Sequence, residues 1–183
     1  IFSLQNFGGI SRYFYELSKN INKNLKTSDN SIITAPFYLN NYINNKDNLI
    51  KGVKVPVKNN FGKVLFYVNK IISPLFIANI KPDIIHQTYY FDQTDFFNKK
   101  SKKIVTVHDM IHEIYPNYFP NSRYYIESKK IAIKNADHVV CISENTRKDL
   151  IKILGIDHDK TSVIYHGFLY SNSSNNKKLS IDE

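Results

Sequence analysis

Ile104, Val105, Thr106 and Val107 form an unbroken β-branched run, too short for a helix and without the polar alternation of a half-exposed strand. Such a run suits a central strand of a parallel sheet, covered on both faces. Its carboxyl end delivers His108 and Asp109. Ligands of open α/β sheets bind outside the carboxyl ends of strands, where the chain order switches, so these two residues are the candidate catalytic pair.

Similar short runs recur along the chain. Ser31–Ala35, stopped by Pro36, Val53–Val57, Ile84–His86, His138–Ile142 and Val163–Tyr165 are predicted strands, and the Asn-rich stretch between the first two is predicted loop. Between the runs lie helical patterns. Ile10, Tyr13, Phe14, Leu17, Ile21 and Leu25 recur at helical steps, which predicts a helix over 10–25. Gly62–Asn79 is strongly apolar, and Pro74 is expected to kink or divide it. Pro116 and Pro120 forbid a long helix over 111–120. Ser122 is the expected cap of a helix to Ala136, and Ser143 that of a helix to Leu154, closed by Gly155. Strands alternating with helices at this spacing predict an α/β fold with a parallel, doubly wound sheet and helices on both faces. Residues 1–168 then form one domain and 169–183 a polar linker. A βαβ fold normally carries a strand before the Gly8-Gly9 turn; only Ile1, Phe2 and Leu4 stand there, so the first strand is expected to be truncated.

The 183 residues carry a net charge of +9 with pI about 9.4, which favours anionic partners. The lysines are spread over many segments, and the densest group, Lys99, Lys100, Lys102 and Lys103, is expected in a solvated loop. No nucleic acid partner is therefore expected. The one cysteine, Cys141, sits in an apolar strand and reads as a small core residue. No secretory signal is visible, and no uninterrupted apolar run has the ~18 residues of a membrane span.

Gly8-Gly9 before a helix lets backbone approach a ligand closely, and a helix N-terminus offers free N–H groups with about half a positive charge. The pair is a candidate phosphate cradle, with Arg12 on the first turn adding charge; the alternative is a tight turn needing positive φ. His86 and Tyr89 leave one strand end, and Ser143 and Glu144 leave another. Packing and helix capping compete with a site role for them, as a turn or cap acceptor does for Asp109. His108 and His112 stand four apart beside carboxylates, which raises a metal-dependent hydrolase as a rival, although no HExxH occurs and the residues before His108 favour a strand. The segment 64–76 is expected either to face the sheet or to dip into a bilayer, with Lys63, Lys70 and Lys81 near acidic head groups.

Five pieces in order resemble the N-terminal half of family 4 glycosyltransferases: Phe7–Tyr13 (FGGISRY), Pro82–His86 (PDIIH), Val105–Asp109 (VTVHD), Ala136–Glu144 (ADHVVCISE) and Val163–Gly167 (VIYHG). The resemblance implies a Rossmann-like half of a two-domain GT-B enzyme, working without a cofactor or a bound metal. It would transfer a sugar, with retention of configuration, from a UDP- or GDP-sugar to a glycan or lipid-linked acceptor. It further implies that Gly9 contacts the donor diphosphate, that His108 faces the transferred sugar, and that His166-Gly167 opens the linker to a C-terminal domain. That domain carries most nucleotide-sugar contacts and a pair of glutamates. The expected setting is cytoplasmic, at the inner face of the membrane, in cell-surface polysaccharide or glycoconjugate synthesis. A non-catalytic sugar- or membrane-binding module is the alternative, and the fragment alone is expected to be inactive.

Overall fold

A computed structural model describes residues 1–24, 30–43, 48–56, 61–90 and 100–167. Leu25, Val57, Lys99, part of the Asn-rich loop and the stretch 168–183 lie outside these residues. The described elements are α1 (Gly9–Asn24), β1 (Ile33–Tyr38), β2 (Ile50–Lys54), α2 (Gly62–Ile80), β3 (Ile84–Gln87), β4 (Lys102–Val107), α3 (Ile111–Ile114), α4 (Ser122–Asn135), β5 (His138–Cys141), α5 (Glu144–Leu154) and β6 (Thr161–Val163), with one-turn 3-10 segments at 116–118 and 158–160. The fold is α/β, and every described strand pairing is parallel.

The strands form two sheets, β1-β2 and β3-β4-β5-β6. The β-branched run is the inner strand β4, as expected. Ile1–Leu4 forms a turn rather than a strand, closed by Leu4 N–H on the Ile1 carbonyl, and the Phe2 carbonyl accepts the N–H groups of Leu39 and Asn40 just beyond β1.

In β4, Val105 and Val107 point to one face. They join Val139 and Cys141 of β5, Ala132 and Ile133 of α4 and Leu150 of α5 in one buried cluster. The register sets Val105 beside Val139 and Val107 beside Cys141, so the two strands present the same face. Thr106 points the other way, where its Oγ1 lies 2.7 Å from His86 Nε2, and His86 in turn meets Phe14 of α1. Cys141 is fully buried, which pushes its thiol up to about 11. It is a core residue.

The amino edge of this sheet is clamped by Asp137. Its carboxylate accepts Lys103 N–H at 2.8 Å and Lys102 Nζ at 3.2 Å, while its own N–H reaches the Lys103 carbonyl. The hydrogen bond from the Lys103 backbone, followed by the one from the Lys102 side chain, holds Asp137 below the usual carboxylate range. Lys102 and Lys103 thus begin β4 and are not loop.

Several expected boundaries move. Pro36 lies inside β1, because a register shift between Thr34 and Phe37 puts it at a bulge, where a missing N–H breaks no ladder bond. Asn69 of α2 satisfies the backbone exposed there, accepting Phe37 N–H at 2.9 Å and donating to the Phe37 carbonyl at 2.6 Å. Opposite the bulge a Cβ on Gly52 would stand 1.8 Å from the Ala35 carbonyl oxygen, so close approach of β2 requires glycine. β2 accordingly starts at Ile50 rather than Val53, and β6 covers 161–163 rather than 163–165. Pro74 does not divide α2, which runs through it to a left-handed cap at Lys81. Ser122 does not cap α4: Asn121, in the left-handed region, takes that place, and the Ser122 hydroxyl donates to the Pro116 carbonyl. Ser143 and Gly155 cap α5 as expected, the Ser143 hydroxyl accepting Thr146 N–H at 3.1 Å.

Gly52→Ala should destabilise the fold by about 1–3 kcal/mol, since the clash is with backbone that cannot rotate away. Gly9→Ala, whose Cβ would meet nothing within 4 Å, should leave the urea midpoint unchanged or slightly raised. Equal losses for the two would contradict the bulge packing.

Candidate active site

Parallel pairing puts the carboxyl ends of β3 to β6 on one edge. There the chain presents His86 and Gln87 from β3, His108 and Asp109 after β4, Ser143 and Glu144 after β5, and His166 after β6. The start of α1 closes on the same place through aromatic contacts. The Tyr13 ring meets His108 edge-on at 5.5 Å and stacks on His166 at 4.8 Å, and His108 and His166 are 5.7 Å apart.

His108 is half-buried against Tyr13, Phe14 and His166, and its Nε2 is buried without a partner. Burial, helped by the charges of His166 and Lys129 and opposed by Asp109, pulls its pKa down to about 4. Burial and then His108 do the same to His86, also to about 4. Both rings are neutral at pH 7, so His108 offers a hydrogen bond rather than a positive charge. His86 is engaged with Thr106 beneath Phe14, and Tyr89 packs between Phe66 and Tyr90 with its hydroxyl pushed up to about 12 by burial and then by Tyr125, Tyr124 and Asp109.

Asp109 is exposed, and its Oδ1 accepts Ile111 N–H at 3.1 Å at the head of α3. This is the turn-acceptor geometry. Its carbonyl is held by Lys129 of α4, which is 2% exposed and reaches the Asp109 carbonyl at 2.9 Å, Glu113 Oε2 at 2.8 Å and the Tyr90 ring at 5.4 Å. The buried Lys129–Glu113 pair therefore ties α4 to the turn that carries His108. His112, by contrast, lies between Phe119 and Tyr125, away from the contacts of His108. Among the described residues no three His, Cys, Asp or Glu side chains gather as a metal site would need.

At the start of α1, neither Gly8 nor Gly9 adopts positive φ. The tight-turn account of the glycine pair therefore fails. A Cβ on Gly8 would run into the Gln5 side chain, whereas Gly9 faces open space. The loop before the helix is fixed by two fully buried residues that the sequence pattern did not single out. Ser11 Oγ donates to the Gly8 carbonyl at 3.0 Å, and Asn40 Nδ2 donates to Ser11 Oγ at 2.9 Å and to the Gln5 carbonyl at 3.1 Å. Arg12 is exposed on the first turn.

Ser143 spends its hydroxyl on the cap of α5, and Glu144 is exposed in that helix's first turn. They share the edge with His108 without touching it through any ring or hydrogen bond described. Tyr13 and His166 are at the centre instead. Tyr13 is indistinguishable by pattern from its core-facing neighbours, and His166 precedes a glycine that reads as linker. Gln87, which no motif marks, is buried at the end of β3 with Oε1 unpartnered. Among the described residues the orphaned buried side-chain atoms are Gln87 Oε1, His108 Nε2 and Glu113 Oε1, all close in sequence to the ends of β3 and β4. Buried polar atoms are rarely left unpaired in a native fold, which sets Gln87 and His108 apart from the paired polar groups around them.

The family model for Glycosyltransferase Family 4 matches residues 7–168. The chain belongs to that family. It is a glycosyltransferase domain by this membership, and the five motifs fall on the start of α1 and on β3, β4, β5 and β6 with their carboxyl ends. Over 62 residues, 34% of this chain, it is 32% identical to the O-antigen chain mannosyltransferase RfbU of Salmonella typhimurium, and the match covers 18% of that relative's length. No solved structure matches the chain.

Two measurements check the electrostatics of this edge. Lys129→Met should cost about 3–5 kcal/mol, because it strands Glu113 as a buried charge, and adding Glu113→Gln should recover a large part of the loss. Additive losses in a urea double-mutant cycle would refute the coupling. The two neutral histidines give the second check. An unfolded chain protonates them near pH 6.5 but the fold only near 4, so their contribution is complete above 6.5 and drains away as pH falls to 4. The thermal midpoint should fall across that window, and less steeply in His86→Gln.

Proposed function

We propose that this domain is the acceptor-side, N-terminal half of a two-domain GT-B enzyme. It takes a sugar from a UDP- or GDP-sugar and passes it, with retention of configuration, to a glycan or lipid-linked acceptor during cytoplasmic assembly of a cell-surface polysaccharide or glycoconjugate. The observation that carries the reading is the unpartnered, buried His108 Nε2 at the carboxyl end of β4, in ring contact with the helix whose first residue is the bare Gly9. The name of the Salmonella relative, an O-antigen chain mannosyltransferase, supports the class of reaction and product.

In this reading the diphosphate lies against the first turn of α1. The N–H groups of Gly9, Ile10 and Ser11 lack intrahelical acceptors there, the helix end supplies partial positive charge, and no side chain at Gly9 intervenes. Arg12 adds a full charge from the same turn. As the glycosidic bond to the diphosphate breaks, these fixed dipoles stabilise the charge that develops on the leaving group. The sugar extends toward β4, where neutral His108 hydrogen-bonds one of its hydroxyls and Gln87 offers a second acceptor. Asp109 acts by holding the turn, and Lys129 by holding Asp109. The acceptor enters past Tyr89, Ser143 and Glu144, and the missing nucleotide contacts come from the C-terminal domain.

In the full-length enzyme, assayed with a panel of GDP- and UDP-hexoses, His108→Ala should lower kcat about 10² to 10³-fold with the donor KM little changed. Gly9→Val should instead abolish donor binding while the fold stays intact. Undiminished kcat in the first variant, or normal donor affinity in the second, would refute the assignment. Donor binding without turnover in the wild type would favour a binding module.

A further inference from the structure

Helix α2 is apolar on both sides. Its inner side is accounted for: Phe66 and Asn69 are buried, Asn69 is bonded to the bulge of β1, and Gly62 lies against the Ser3 and Leu4 backbone. Its outer side carries Phe61, Val64, Tyr67, Ile71 and Leu75, which are 55, 56, 55, 76 and 67% exposed. Steps of three, three, four and four residues set them in one stripe along the helix, some 21 Å long at about 1.5 Å per residue. Soluble surfaces carry scattered large apolar residues but seldom a continuous row of them.

The charges on this helix are of one sign. Between Phe61 and Lys81 there is no Asp or Glu, while Lys63, Lys70 and Lys81 mark its start, middle and end. The chain as a whole is at +9. Although α2 has the length and hydropathy of a membrane span, its inner side is bound into the fold through Asn69 and Phe66, so crossing a bilayer would tear it from β1. Lying in the interface plane requires no such change: the stripe enters the acyl boundary by about 5–10 Å while lysines stay among the head groups.

We propose that the outer face of α2, centred on Tyr67, Ile71 and Leu75, docks this protein on an anionic lipid bilayer. The apolar stripe supplies the insertion and the lysines supply the preference for acidic lipid. Tyr67, with an apolar ring and a polar tip, suits the head-group level. This docking does not depend on the glycosyl-transfer reading, because it rests on the exposed side of α2 and is read without activity.

The test is co-sedimentation of the purified protein with vesicles of pure phosphatidylcholine and with vesicles containing 30% phosphatidylglycerol, at low and high salt. Binding should be at least tenfold stronger to the acidic vesicles and should weaken with salt. Ile71→Ser with Leu75→Ser should lose most of it while circular dichroism and thermal midpoint stay unchanged, because both side chains are exposed. The chain has no tryptophan, so Ile71→Trp gives a clean reporter whose emission should shift to the blue with acidic vesicles and be quenched by brominated lipid. Equal binding to both vesicle types, or undiminished binding by the double serine variant, would overturn the proposal. So would self-association that the double variant abolishes in a protein that ignores vesicles, since the face would then meet a second copy.

Discussion

The architecture depends on burying β4 between parallel neighbours and covering both of its faces. With Val105 and Val107 packed against α4 and α5, and Thr106 turned toward His86 and α1, the strand cannot slip by one residue without exchanging its two faces. Asp137 fixes that register at the amino edge by accepting the backbone N–H of Lys103. The opposite edge is thereby fixed too, and His108 emerges where it does because the ladder admits one alignment.

That edge holds two kinds of polar group. Those facing the protein are paired: Ser143 to its helix, Asp109 to Ile111, Lys129 to Glu113 and the Asp109 carbonyl. A few are not, namely Gln87 Oε1, His108 Nε2 and one oxygen of Glu113. A family 4 glycosyltransferase must receive donor and acceptor somewhere, and a neutral histidine with a free nitrogen can recognise a sugar hydroxyl without attracting a phosphate in its place. Its low pKa follows from burial first, so the aromatic wall of Tyr13 and Phe14 helps to set its chemistry as well as its position.

The glycine pair illustrates how structure separates explanations that a sequence leaves joined. Glycine is needed where φ is positive, where backbone comes close, or where a ligand must. Gly52 meets the second condition and Gly155 the first. Gly9 meets neither, and its open flank at a helix start is what the phosphate-cradle reading requires.

The sequence by itself determined the short β-branched strands, their alternation with helices, the caps at Ser143 and Gly155, and the appearance of His108 at the end of an inner strand. These are local matters of side-chain branching, periodicity and backbone preference, legible without knowing what packs on what. Tertiary structure decided the rest. Pro36 sits within a strand because Asn69, thirty-three residues later, satisfies the bulged backbone beside it. Ser122 gives up its cap to reach Pro116. Tyr13 and His166 reach His108 from opposite ends of the described chain, and Ser11 and Asn40 lock the glycine loop across twenty-nine residues. α2, with large apolar residues on two sides, had one side chosen by β1 and the other left outward. No window of sequence contains such choices, because each is settled by a partner distant along the chain, and hydrogen bonds and packing act on distance in space.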